Sequence, residues 1–182
     1  MLISNSSEFV TDNFRMSEFY SKSPDAPESH YLDDKLVEAA QFLRTWSGVP
    51  VRITSSLRTE SHNASVGGAR SSMHLQGKAI DLQFMEQNDM YLSELQHQIK
   101  HGGYVADELW TIGIRAFGHY ETFAHLDTRL ANPNGVIITG NFHQWGTSIF
   151  DALETMGEEG IAQTLIQNWK TLAIIGLGIS LV

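Results

Sequence analysis

The chain contains no cysteine. That excludes disulfides and thiolate metal sites, so a bound metal has only imidazoles and carboxylates to hold it. Basic residues are scarce: 12 Lys and Arg stand against 21 Asp and Glu, for a net charge of -9 and a sequence pI near 5.2. Such a balance argues against a chain whose main task is gripping nucleic-acid phosphates, and no nucleic-acid partner is expected. It gives no help to passive adhesion on an anionic wall or membrane either. Met1 to Glu8 lacks the basic patch followed by an apolar run that a secretory signal requires. Internal repeats and low-complexity tracts are absent. The most apolar run, Thr171 to Val182, would extend about 18 Å as a helix, short of the roughly 30 Å hydrocarbon core of a bilayer. Packing, association, or membrane or protein contact is the expected use of that tail.

What remains, 182 residues of which 42% are hydrophobic, suffices for one domain with a real core and an appendage. The expected division is a domain over residues 1–130 and a helical extension over 131–182, with Asn132-Pro133-Asn134-Gly135 as the boundary turn. Val136 to Ile138 reads as a short strand, and Ser148 to Met156 and Ile161 to Trp169 as helices.

The stretch that organises the chain is Ser72-Met73-His74-Leu75-Gln76-Gly77-Lys78-Ala79-Ile80-Asp81-Leu82. On one continuous strand, His74 and Asp81 would point to opposite faces, so convergence on one ion requires the backbone to reverse between them. Gly77 permits that reversal. From Ala79 to Phe84 the residues alternate, Ile80, Leu82 and Phe84 against Asp81 and Gln83, as in a strand with one buried side. A third ligand is needed, because catalytic zinc keeps three protein ligands and one open position. His125 is the best candidate, in the alternating run Phe123 to Arg129, where Glu121, Phe123, His125 and Asp127 share a face if the strand is regular. Two imidazoles and a carboxylate suit Zn2+ better than magnesium or calcium, which take oxygen ligands throughout.

Around this stretch the elements read in order. Phe14, Phe19 and Tyr20 dock an N-terminal arm, and Ser23-Pro24-Asp25-Ala26-Pro27 is a turn-rich linker. Leu36, Ala40, Leu43 and Trp46 recur at helical spacing from Asp34 to Ser47, with Asp33 or Asp34 as N-cap and Gly48 as terminator. Val51 to Arg58 is a strand that ends at Arg58, and Glu60 to Ser71 a loop forming one wall of a cleft, in which His62 is exposed to water. Asn88 or Asp89 caps a helix carrying Leu92, Leu95 and Ile99 and ending at Gly102-Gly103. Its His97 and His101 lack the intervening glutamate of a metalloprotease helix and read as a solvated face. Trp110 to Gly118 alternates as a further strand, leading into His119 and Tyr120.

Ser72-x-His74-x-x-Gly77-x-Ala79-x-Asp81, followed by Phe123-x-His125-x-Asp127, resembles the D-Ala-D-Ala carboxypeptidase family of zinc metallopeptidases, a group that includes lysostaphin-type enzymes and the hedgehog signalling domain. The upstream run Ile53-Thr54-Ser55-Ser56-Leu57-Arg58-Thr59, with Asn63 and Val66-Gly67-Gly68-Ala69, is similar to that family's lead-in to the first ligand, and the likeness extends from Phe14 to Arg129. The resemblance implies an α+β fold with a small antiparallel sheet flanked by helices. It implies His74, Asp81 and His125 as Zn2+ ligands and Arg58 as the arginine that contacts substrate. The activity it implies is hydrolysis of peptide bonds in bacterial peptidoglycan, as a D,D-carboxypeptidase or an endopeptidase.

The chain departs from that family where a general base is expected. Relatives carry an acid three positions before the last histidine, or a second histidine two before it; here those positions hold Thr122 and Phe123. Asp127 and Glu121 are the candidate catalytic acids, with His119 further back. Asp127 has a second candidate role, orienting a ligand histidine. Arg58 either stabilises charge developing on the carbonyl oxygen or fixes a substrate carboxylate. Ser72 and Tyr120 are candidate substrate contacts, the tyrosine as a hydrogen-bond donor to an oxyanion. Without a signal, such a protein reaches the cell wall or periplasm by another route. A phage particle, or a lysis system held in the host cytoplasm, provides such a route, and a mature chain whose signal has been removed is the alternative. A zinc-containing binding module without catalysis is the competing reading, and a virion structural protein a third.

Overall fold

The computed structural model describes residues 1–130 and the backbone of 138–139. Two short strands open the chain, β1 (Leu2–Ser4) and β2 (Ser29–Tyr31), paired antiparallel with Ile3 opposite His30. Between them the arm folds back on Phe14 and Phe19, both buried, with ring centroids 5.4 Å apart. Helix α1 (Asp34–Ser47) follows. The Asp33 side chain accepts from the Lys35 N–H at its start, and Gly48 at φ 70° ends it with its N–H on the Arg44 carbonyl, as the cap residues predict. Leu36, Ala40 and Leu43 are fully buried along one face, with Trp46 packed beside them.

Strand β3 (Val51–Ser55) stops three residues short of Arg58, and helix α2 (Glu60–Ser65) occupies half of the stretch expected to be a loop. Thr59 explains the difference: its hydroxyl accepts from the His62 N–H and starts a helical turn. His62 lies in that turn and is half-buried. After β4 (Ala79–Phe84) come α3 (Asn88–His101) and α4 (Tyr104–Ile112), then β5 (Ala116–His119), β6 (Ala124–Asp127) and β7 (Ile138–Thr139). The strand expected from Trp110 to Gly118 is therefore split. Val105 and Leu109, four apart and fully buried, make Tyr104–Ile112 helical, and Gly113 at φ 119° terminates it. Only Ala116 onward is extended. Along α3, Leu92, Leu95 and Ile99 are buried as expected, while His101 is exposed and His97 half-buried.

The main sheet has the order β3-β4-β6-β5-β7. Its pairs are antiparallel except β5 with β7, which run parallel and add a parallel edge to the expected antiparallel sheet. Ile53, Leu82, Ala124 and His119 are successive register partners across four strands, as are Ile80, Leu126 and Phe117. Directly paired residues point to the same side, so these form the face that packs with Leu36, Leu43, Leu92, Leu95 and Leu109. Burying a leucine fully is worth about 1.5–3 kcal/mol, and this layer holds the strands rigid under the opposite face. That face carries Asp81 opposite His125, and Asp127 opposite Ala79. β4 is buried on both sides, not one, because Asp81 forms the floor of a cleft instead of an exposed surface.

Among the described residues no helix is long and apolar enough to cross a membrane. The strand expected at Val136 to Ile138 is seen only as Ile138–Thr139. The boundary turn at Asn132–Gly135, the helices at Ser148–Met156 and Ile161–Trp169, and the apolar run Thr171–Val182 lie outside the described residues.

Candidate metal centre

Ser72 accepts from the His74 N–H and starts a tight turn over Met73–Gln76, which Gly77 closes at φ 64°. A side chain at Gly77 would meet the Tyr31 carbonyl oxygen at 2.2 Å, so both the conformation and the close approach to β2 require glycine there. The Asp33 N–H donates to the Gly77 carbonyl, and the Thr128 hydroxyl donates to Asp33. The turn is thereby locked between α1 and the end of β6. This is the reversal expected between His74 and Asp81, and it brings both into one place.

His74 Nε2 lies 3.2 Å from Asp81 Oδ1 and 3.2 Å from His125 Nδ1, and His125 Nδ1 lies 2.8 Å from Asp81 Oδ1. These three buried residues are the one group of histidine and acid side chains, among the described residues, with ligand atoms close enough to hold an ion. Hydrogen bonds at the far side of each ring set the tautomers. His74 donates from Nδ1 to the Ser56 carbonyl, and His125 Nε2 faces Asp127 Oδ2 at 3.1 Å. Each ring thus turns its other nitrogen, a lone pair in the neutral form, toward Asp81. Three acceptors crowd one point, which suits a cation.

Protons compete for the same point. Burial opposes charge on His125, but hydrogen bonds and the charges of Asp127 and Asp81 outweigh it and raise the imidazole above its ordinary range. Burial likewise opposes ionisation of Asp81, yet the bonds from His125 and His74 hold its carboxyl well below the usual carboxylate range. A divalent cation would displace the shared proton, so metal binding here releases protons. The donor set, two imidazole nitrogens and one carboxylate oxygen with no sulfur, fits zinc with a position left for water or substrate.

The cleft above these residues, about 730 Å³ in volume, is lined also by Arg58, Val66 to Ala69, Ser72, Tyr120, Phe123, Asp127 and Arg129. Arg58 donates from Nε to Ser55 Oγ at 2.9 Å and from Nη2 to Asp81 Oδ2. An irregularity in β3 between Ile53 and Ser55 places Ser55 opposite Asp81 for that purpose. Tyr120 stacks on Phe123 with ring centroids 4.2 Å apart. Burial, together with the nearby Asp81 charge, raises the Tyr120 hydroxyl above its usual pKa, so it is a neutral donor. Asn63 fastens the far wall by donating to the Ala69 carbonyl, and a Cβ at Gly68 would collide with the Asn63 amide.

A sequence model of the family described as peptidase M15 matches residues 8–127. The chain belongs to the peptidase M15 family. These are zinc metallopeptidases of the D-Ala-D-Ala carboxypeptidase type, and the matched span includes all three converging residues. No curated protein matches the chain.

In this M15 domain the candidate bases separate. Asp127 lines the cleft but is fully buried, and both its oxygens are engaged: Oδ1 accepts from the Arg129 N–H and Nε, while Oδ2 accepts from Arg129 Nη2 and faces His125 Nε2. Glu121 does not share a face with His125 as expected, because the strand begins only at Ala124; it is exposed in the turn before β6 and does not line the cleft. His119 pairs with Ala124 and points to the core side of the sheet, away from the cleft, while Gly118 stands opposite His125. Sequence reasoning passed over three groups that matter at this site. Arg129 clamps Asp127, and the spacing Asp127-x-Arg129 on a strand was the available signal. The Ser56 carbonyl, which orients His74, and Asn63, which holds the wall, stood in the run that resembles the family's lead-in but were given no role.

Proposed function

We propose that this M15 domain is a zinc-dependent peptidase that hydrolyses bonds in the stem peptides of bacterial peptidoglycan, in the carboxypeptidase mode. The reading is supported above all by His74 Nε2, Asp81 Oδ1 and His125 Nδ1 meeting at the floor of a cleft whose wall presents Arg58 and Tyr120. Zinc held by those three residues supplies a Lewis acid and lowers the pKa of a bound water toward neutrality.

The protein's own groups supply orientation of the ligands, stabilisation of developing charge and anchoring of the substrate. Asp127 keeps the His125 ring fixed and raises its basicity as a ligand, which leaves the carboxylate itself spent on Arg129 and His125. Tyr120 donates from its hydroxyl to the carbonyl oxygen of the scissile bond as negative charge builds there. Arg58 uses Nε and Nη2 on Ser55 and Asp81. Its Nη1, for which the described residues provide no partner, is left to receive the free carboxylate of the substrate. That anchoring favours removal of a terminal residue over cleavage inside a cross-link.

A second reading, a zinc-containing module that binds wall peptides without cutting them, draws support from the same cleft. Its two carboxylates, Asp81 and Asp127, are both engaged, and Thr122 stands where relatives place an acid. Digestion of peptidoglycan and of a stem pentapeptide by the zinc-loaded protein, with mass analysis of products, separates the two. Release of the terminal D-alanine, abolished by a chelator and restored by zinc, supports the peptidase. Binding of the peptide with no new amine or fragment sinks it in favour of the module.

A further inference from the structure

The segment from Ser55 to Thr59 touches the metal centre with one side and the N-terminal arm with the other. Toward the centre, the Ser56 carbonyl orients His74, the Arg58 N–H donates to the His74 carbonyl at 3.1 Å, and the Arg58 guanidinium bonds Ser55 and Asp81. Toward the arm, Ser21 Oγ donates to the Leu57 carbonyl at 2.6 Å, and the Thr59 N–H donates to Ser23 Oγ at 3.1 Å. Thr59 Oγ1 and Ser61 Oγ each donate to Asp25, at 2.6 Å. The arm therefore holds the backbone on both sides of Arg58.

Beyond the end of β3 the sheet no longer supplies partners for this backbone, and buried peptide groups must find them elsewhere. Ser21 and Ser23 are themselves buried, and the Ser23 N–H donates to Ser21 Oγ. Ser21 is tied in turn by its own N–H to His30 Nε2 on β2. The result is a chain of hydrogen bonds from the β1–β2 ribbon, through Ser21 and Ser23, to Leu57 and Thr59 on either side of Arg58, with Asp25 bracing Thr59 through its hydroxyl.

We propose that Ser21, Ser23 and Asp25 are positioning residues that set the place of Arg58 in the cleft, so that the N-terminal arm governs how the site grips an anionic substrate end. The inference rests on the reading that Arg58 receives the substrate carboxylate, and it is tested in a way that survives failure of that reading. Asp25 is exposed, so Asp25→Ala leaves the core intact, while Ser23→Ala removes the acceptor of the Thr59 N–H, in the peptide group that follows Arg58. Two measurements decide. In turnover of a stem pentapeptide, each variant raises KM by about tenfold with kcat and zinc content near those of the wild type. In an Arg58→Ala background the same substitutions add nothing, because the residue they act through is gone. In NMR of the zinc-loaded protein without substrate, the Arg58 Nε–H resonance, assigned by its loss in Arg58→Lys, moves toward the free-arginine position in both variants. An unmoved resonance overturns the proposal, as do KM effects that add fully to those of Arg58→Ala. Should the wild type fail to turn over the peptide at all, the peptidase reading falls and the resonance alone decides the positioning.

Discussion

Asp81 and His125 are direct register partners on β4 and β6, 44 residues apart in sequence, with His125 Nδ1 2.8 Å from Asp81 Oδ1. Because a cross-strand pair shares one face of the sheet, two of the three metal-facing groups are set by strand pairing, and His74 alone depends on a turn. The centre thus has a rigid half and a half that hangs on Gly77.

Gly77→Ala is expected to damage both stability and metal binding. The left-handed backbone costs an alanine about 1–2 kcal/mol, and the added Cβ also meets the Tyr31 carbonyl at 2.2 Å. Gly48→Ala is the control, since Gly48 has φ 70° but nothing within 4 Å. Urea unfolding with and without zinc should show the larger loss for Gly77→Ala and weakened zinc affinity in that variant only. Equal losses with unchanged affinity would contradict the account of the turn.

Asp127→Asn distinguishes an orienting carboxylate from a base. With its oxygens on His125 and Arg129, loss of the charge should weaken zinc binding by about 10–100-fold while leaving one ion per chain at saturation. A base would behave differently: zinc affinity would hold and turnover would stop. Competition against a chromophoric chelator, followed by activity at saturating zinc, reads both outcomes.

Tyr120→Phe removes only a hydroxyl from the stacked Tyr120–Phe123 pair. If that hydroxyl stabilises developing charge, kcat falls by about 100-fold with KM little changed. A KM effect without a kcat effect would move Tyr120 to ground-state binding.

Acid should weaken the fold through His30. Burial lowers its pKa below the ordinary value, against a smaller opposing effect of the bond to the Tyr31 carbonyl, and its Nε2 accepts the Ser21 N–H. As pH falls through about 6.5 the unfolded histidine takes up a proton that the folded one refuses. Stability is therefore complete above that pH and declines below it, by up to about 1.4 kcal/mol per pH unit, until the folded pKa is reached. Urea midpoints of metal-free protein between pH 7.5 and 5.5 should show a shallower decline in His30→Gln. Parallel declines would remove His30 from the explanation.

Local structure was legible in the sequence. Alternation marked β4 and β6, helical spacing and caps marked α1 and α3, and the glycine between His74 and Asp81 marked the reversal, because side-chain direction and allowed φ depend on near neighbours. It misassigned Trp110 to Ile112, where a period of two and a period of 3.6 overlap over a few residues, and α2, which a single cap residue starts. Tertiary structure alone decided the rest. Placing β6 between β4 and β5 put Asp81 opposite His125, turned His119 to the core and left Glu121 outside the cleft, and the folding back of the N-terminal arm brought Ser21 and Ser23 to the backbone of Leu57 and Thr59. Strand order and register are selected by the burial of the whole apolar face, a sum over residues far apart in the chain, and no short window of sequence contains that sum.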